Sequence, residues 1–264
     1  MFSWATFAFG LSTTLFLQVL SNYANDLGDT LHGADSATRI GPKRAVQAGL
    51  ISKEEMKAAV VVFSILSLIS GLGLLAVATG SVQQFLIFLG LGIAAIAAAI
   101  LYTNGKRPYG YAGLGDISVF IFFGLVAVGG IFYLQTGGVV TTILLPAISA
   151  GLLAVGVLNL NNMRDVTSDA DAGKTTIPLR LGFEGGKVYH SVLIVGALLC
   201  VFFYADYQSG YFWVSFLAAP LLILHLVKVL RVSKPADFDP YLKVLALTAL
   251  LHNVAVGLAA YLAG

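Results

Sequence analysis

Charge is what this chain lacks most. Its 264 residues hold 15 Lys and Arg and 13 Asp and Glu, so 11% are charged, against about 25% in a soluble domain. That supply cannot cover a water-facing surface, which makes a bilayer the implied solvent. Cysteine is nearly missing: Cys200 stands alone inside an apolar run, which excludes a disulfide framework or a cysteine metal cluster. Long polar segments and alternating strands are also lacking, which argues against a transmembrane barrel. The sequence has no Ser/His/Asp nucleophile set, no GxxxxGK[ST] loop and no Cys/His metal spacing. His190, His225 and His252 lie in or beside apolar runs and read as packing residues.

What is present is apolar length. Hydrophobic residues make up 58% of the chain and mean hydropathy is +0.89. A spanning helix needs ~20 mostly apolar residues. Eight windows supply them, at roughly 2–22, 58–79, 83–103, 116–134, 139–159, 188–205, 211–230 and 241–263. The expected fold is an all-α polytopic transmembrane bundle forming a single domain over 1–264.

The basic residues support that count. Arg39, Lys43, Arg44, Lys53 and Lys57 follow the first window, and Lys106 and Arg107 the third. Arg164, Lys174, Arg180 and Lys187 follow the fifth, and Lys228, Arg231, Lys234 and Lys243 lie around the connection after the seventh. The alternate connections, near 80–82, 135–138 and 206–210, hold none. This is the positive-inside pattern; it places the basic loops in the cytoplasm and both chain ends outside. The first window begins almost at Met1, without a basic flank, and it is too long for a cleaved signal peptide. The expectation is therefore a chain that lacks an N-terminal segment.

The scarce acids are concentrated. "NYANDLGDTLHGAD", residues 22–35, sets Asn25, Asp26, Asp29 and Asp35 beside an apolar run. "NNMRDVTSDAD", residues 161–171, sets Asn161, Asp165, Asp169 and Asp171 beside another. Asn25 with Asp29, and Asn161 with Asp165, share a spacing of four, which Asp169 extends. That spacing puts side chains on one helix face. Like charges so placed repel each other and lose hydration near a membrane, so a cation must offset them. Clustered oxygens suit Mg²⁺, which typically takes one or two carboxylates plus substrate phosphates. One such cluster could equally be helix capping and loop solvation; two matched clusters on one membrane face favour a metal and diphosphate site. Asp26 and Asp171 sit off the shared face. His32 lies within the first cluster.

Basic and aromatic residues can complete the site. "YTNGKRPYGYAGLGD", residues 102–116, places Tyr102 four residues before Lys106. Lys106 and Arg107 are diphosphate partners, Arg by its planar fork. Interfacial anchoring accounts for the same residues when they are taken alone. Lys174 and Arg180 follow the second cluster. Arg39, Lys43 and Arg44 follow the first, as diphosphate partners or as inside-loop charges. "SKEEMK" reads as a capping box opening a short helical turn. Asp116 could cap the fourth helix or touch an acceptor.

These motifs together resemble the UbiA superfamily of intramembrane prenyltransferases. Asn25, Asp29 and Asp35 match its first motif, Asp165 and Asp169 its second, and Tyr102 with Lys106 its Y-x-x-x-K element. "RIGPKRAVQAGLIS" and "RPYGYAGLGDISVFIFFG" extend the likeness across nearly the whole chain, towards members that prenylate 1,4-dihydroxy-2-naphthoate. His32 stands where that family would carry Lys, a departure that bears on phosphate contacts. The resemblance implies nine helices, one more than the windows here supply. It implies Mg²⁺ held by Asn25, Asp29, Asn161, Asp165 and Asp169, with diphosphate met by Lys106, Arg107, Lys174 and Arg39. It implies a polyprenyl diphosphate donor, an aromatic acid acceptor, and a multi-pass protein of the inner (plasma) membrane whose active site faces the cytoplasm. The ring-deprotonating base is left to Asp35 or Asp116. Within the superfamily, 4-hydroxybenzoate and homogentisate are the alternative acceptors. Outside it, CDP-alcohol phosphatidyltransferases carry one acidic block rather than two. A cation transporter would place its carboxylates at mid-helix.

Overall fold

The computed structural model describes residues 2–33, 40–138, 140–206 and 208–263. The described residues form helices joined by turns and loops, with no strand among them. The helices are α1 (Trp4–Leu31), α2 (Lys53–Ala78), α3 (Val82–Leu101), α4 (Gly115–Thr136), α5 (Leu144–Arg164), α6 (Val166–Asp171), α7 (Ile177–Tyr204), α8 (Ala219–Leu230) and α9 (Asp239–Ala263). All but the short α6 belong to stretches long and apolar enough to cross a bilayer, giving eight spans. Tight 3-10 turns at Thr141–Ile143, Phe212–Phe216 and Pro235–Phe238 lead into α5, α8 and α9.

The eight windows each meet a span, but several boundaries move. α1 runs on to Leu31 through the whole polar stretch after Asn22, because a helix closes its own backbone hydrogen bonds whatever its side chains are. α7 begins at Ile177, well before residue 188, with Pro178 in its first turn where its missing N–H costs nothing. Gly182, at φ +75°, then breaks and redirects that helix. The capping box at Ser52 and Glu55 forms as read: the Glu55 amide donates to Ser52 Oγ and the Ser52 amide to Glu55 Oε2. It opens the span α2 itself rather than a separate short turn.

Two packing units make the bundle. Leu20, Ala24 and Leu27 of α1 pack on Met56 and Val60 of α2, with Ile96, Ala99 and Ile100 of α3 against them. On the other side α5 is the hub. Its Leu153, Leu160 and Met163 meet Ile194 and Ala197 of α7, Leu222 and Val229 of α8, and Phe238 and Leu245 beside or on α9. In lipid, apolar contact alone gives little reason for helices to associate, so close approach and polar pairs take over. A Cβ on Gly124 of α4 would come within 2.6 Å of the Ala147 carbonyl of α5. Ser149 Oγ lies 2.9 Å from His252 Nε2, and His190 Nε2 lies 3.1 Å from His225 Nε2. These histidines are interhelical packing groups. Large apolar side chains such as Trp4, Ile69, Val188 and Leu247 face outward, as a lipid solvent requires.

α4 is wound as a π-helix over Phe120–Gly129. Its Phe122, Phe123 and Val126 line a cavity between the two packing units. Residues of three connections, Arg44, Tyr111 and Lys174 among them, also line it.

Candidate active site

The cavity measures about 1130 Å³. Leu17, Leu72, Phe88, Ile96, Phe122 and Val126 make up much of its wall. Its polar end gathers Asn25, Asp29, Arg44, Tyr102, Tyr111, Asn161, Asn162, Asp165, Asp169 and Lys174. Both acidic clusters therefore open into one space.

The first cluster lies on an uninterrupted helix, so Asn25 and Asp29 keep the shared face that their spacing predicts. Gly28 allows the turn after α3 to press against that face, since a Cβ there would collide with Thr103. Thr103 Oγ1 sits 3.0 Å from the Ala24 carbonyl and 3.3 Å from Asn25 Oδ1. Asp29 is buried, and its charge is met from three directions. Arg44 Nη1 lies 2.7 Å from Oδ2, Lys174 Nζ 3.2 Å from Oδ1, and the Tyr111 hydroxyl donates to Oδ1 at 2.7 Å. Asp26 turns away from the cavity and accepts from the Ala45 amide at 3.1 Å, tying down the 40–50 connection. His32 places its ring nitrogens 2.8 Å from the Gly28 carbonyl and 3.0 Å from that of Gly105. It thereby fastens the end of α1 to the turn after α3.

The second cluster lies at a helix break. α5 ends at Arg164, Asp165 takes φ −93° and ψ 15°, and α6 begins at Val166. The i-to-i−4 hydrogen bonds nevertheless continue through the break, from the Asp165 amide to Asn161 and from the Asp169 amide to Asp165. That continuity keeps Asn161, Asp165 and Asp169 on the cavity wall. Asp169 meets Lys174 Nζ at 3.0 Å, so one ammonium bridges both clusters. Burial pushes the Asp169 carboxyl above its ordinary value, with Lys174 pulling the other way. Burial, with Asp29 next to it, likewise holds the Tyr111 phenol up. Burial and the Asp116 and Asp29 charges do the same for Tyr102. Both phenols are therefore protonated, and Tyr111 donates its proton to Asp29.

The sequence-predicted residues divide clearly. Asn25, Asp29, Tyr102, Asn161, Asp165, Asp169 and Lys174 come together at the cavity. Lys106 and Arg107 do not: they are exposed and off the cavity wall. The reason is local, because α3 ends at Leu101 and Gly105 turns the chain at φ +98°. The one-turn spacing from Tyr102 to Lys106 is therefore not helical. Arg44 and Lys174 hold the cationic positions instead. Asp35 and Arg39 lie outside the described residues. Asp116 is buried off the cavity and accepts from the Tyr189 hydroxyl at 3.1 Å. Sequence reasoning missed Tyr111 and Arg164. For Tyr111 the available signal was the density of tyrosines in "RPYGYAG". Arg164 is indistinguishable by sequence from an ordinary inside-loop charge.

The chain belongs to the UbiA prenyltransferase family, whose model matches residues 1–252. It is 47% identical over 247 residues to the 1,4-dihydroxy-2-naphthoate octaprenyltransferase of Haemophilus influenzae, covering 92% of this chain and 80% of the relative. It is 46% identical to the Escherichia coli protein of the same name, with the same coverage. Among solved structures, an apo UbiA homologue from Aeropyrum pernix superposes with a TM-score of 0.69 at 19% identity, over 99% of this chain and 90% of that one. A UbiA homologue from Archaeoglobus fulgidus bound to DMAPP and Mg²⁺ gives 0.57 at 20% identity, over 97% and 89%. Those two likenesses concern the fold.

The donor set fits a hard divalent ion shared with a phosphate ligand. Among the described residues no three His, Cys, Asp or Glu side chains converge on one point. The oxygens are instead divided between two facing clusters, each with amides beside its carboxylates. Mg²⁺ characteristically completes such partial sets with water and substrate phosphates.

Proposed function

We propose that this chain, acting as a single domain, transfers a polyprenyl group from polyprenyl diphosphate to 1,4-dihydroxy-2-naphthoate. Carbon dioxide and diphosphate are lost, and the quinol form of demethylmenaquinone is formed. The observation that carries this reading is the meeting of two acidic clusters at the polar end of a long apolar cavity. The names of relatives at 46–47% identity point to the same acceptor.

In this reading Asn25, Asp29, Asn161, Asp165 and Asp169 hold Mg²⁺. When bound, it supplies Lewis acidity towards the departing diphosphate and a template for it. Arg44 and Lys174 neutralise the remaining phosphate charge, the role that Lys106, Arg107 and Arg39 were expected to take. Tyr111 orients Asp29 through its hydroxyl. The apolar wall takes the isoprenoid tail and keeps water from the allylic cation, which water would quench. The allylic C–O bond breaks, the electron-rich ring forms the new C–C bond, and its carboxylate leaves as CO₂. Tyr102, a protonated phenol on the wall, lies where it can face that cation. The protein sits in the plasma membrane as a multi-pass bundle with this site on the cytoplasmic side, as its basic loops indicate.

The test is diphosphate release from a polyprenyl diphosphate by purified protein, with and without Mg²⁺. It is run beside 1,4-dihydroxy-2-naphthoate, 4-hydroxybenzoate and homogentisate. Release that needs both Mg²⁺ and the naphthoate is the expected result. Release with another acid moves the acceptor, and no release with any acid removes the prenyltransferase reading.

A further inference from the structure

Arg164 is one of the most buried charged side chains among the described residues, at 5% exposure, yet it does not line the cavity. It stands behind the second cluster. Its Nε lies 2.9 Å from Asp165 Oδ1 and its Nη2 2.7 Å from Asp165 Oδ2, a planar two-point grip. Nη2 also donates to Asn161 Oδ1. Nη1 donates to Asp239 Oδ1 at 2.7 Å, at the first residue of α9. Gly41, in the connection that carries Arg44, lies so close that a Cβ there would come within 2.6 Å of Nη2.

A carboxylate offers about four lone-pair sites and an amide oxygen two. Arg164 engages one on each Asp165 oxygen and one on Asn161, from the side away from the cavity. It therefore does not compete with a ligand that approaches from the cavity. Asp165 sits where the backbone departs from helical angles between α5 and α6, and it is there that Arg164 grips its carboxylate.

We propose that Arg164 is the positioning residue of the second acidic cluster. It fixes Asp165 and Asn161 from behind at the geometry a divalent cation requires, and Asp239 fixes Arg164 in turn. This rests on the reading of that cluster as a metal and diphosphate site. Arg164 would touch neither substrate nor metal. Lysine could not replace it, since a single ammonium cannot span both Asp165 oxygens, Asn161 and Asp239 together.

The experiment is an Mn²⁺ titration followed by EPR, on the whole protein in nanodiscs, with a thio-linked prenyl diphosphate that does not ionise. Orienting groups behind metal ligands typically affect affinity by 10–100-fold, so Arg164→Gln should weaken Mn²⁺ by about tenfold or more. Arg164→Lys should recover little of that loss, and Asp239→Asn should weaken Mn²⁺ by about threefold. The KM for the aromatic acceptor should stay near that of the wild type. Thermal unfolding of each variant separates positioning from loss of fold. If Arg164→Gln does not fold, Arg164→Lys and Asp239→Asn decide. Wild-type or tighter Mn²⁺ binding in the folded variants overturns the proposal and leaves the metal site standing. A wild-type protein that binds no Mn²⁺ overturns both.

Discussion

The two acidic clusters carry the same residue types at the same spacing, yet the chain supports them in opposite ways. The first lies on an unbroken helix and is held by visitors: Arg44 from the following connection, Tyr111 from the one after α3, and Lys174 from the far side. The second lies at a helix break; Lys174 reaches its Asp169 too, but its Asp165 is gripped by its own sequence neighbour, Arg164, which is anchored to α9. A regular helix fixes direction by itself and needs only charge brought to it. At the break, Arg164 adds to the direction that the continuing backbone hydrogen bonds give. One motif therefore rests on two architectures, and the second is harder to see in a sequence.

The largest expected effect tests whether the clusters are equal. Asp29→Ala and Asp165→Ala should each lower turnover by about 10²–10³-fold or more, measured as diphosphate release. Full turnover in either would leave the site one-sided. Next is Tyr111→Phe, which removes one hydrogen bond to a charged oxygen. Such a bond is worth about 1.5–3 kcal/mol, so a loss of about tenfold or more in kcat/KM is expected, with the fold unchanged. Asp26→Ala should act mainly on stability. It frees the Ala45 amide and should cost about 1–3 kcal/mol in unfolding, while turnover falls far less than for Asp29→Ala. The smallest effect is expected from Lys106→Ala, within a few-fold in the KM for prenyl diphosphate, as befits an exposed charge worth about 0–1 kcal/mol. A large loss there would restore Lys106 to the diphosphate and break the division between Arg44 and Lys174 on the wall and Lys106 outside it.

Much of this was legible in advance, for physical reasons. Apolar length and the placement of positive charge define spans without any knowledge of packing, and all eight emerged. The clusters emerged because buried carboxylates in a charge-poor chain demand an explanation. Boundaries were less legible. Hydropathy reports solvent, not hydrogen bonding, so α1 outran its apolar stretch by about two turns and α7 began early, at Ile177. The Tyr102–Lys106 pairing failed because spacing implies a shared face only while the helix lasts, and Gly105 ends that. Arg44 was left undecided between ligand and loop charge, since only tertiary contact separates the two. Arg164 was illegible for a sharper reason: a buried arginine and a solvated one read alike until their surroundings are known.

The peptide carbonyl of Tyr111 has a consequence of its own. It accepts from both the amide and the hydroxyl of Thr175, at 2.9 Å each. Arg180 reinforces this by donating to the Ala112 and Thr175 carbonyls. Two connections far apart in sequence are thus laced together in part by main-chain atoms, which no side-chain substitution removes. Amide hydrogen exchange at Thr175 would therefore report the parting of these two connections from each other rather than the fraying of either one alone.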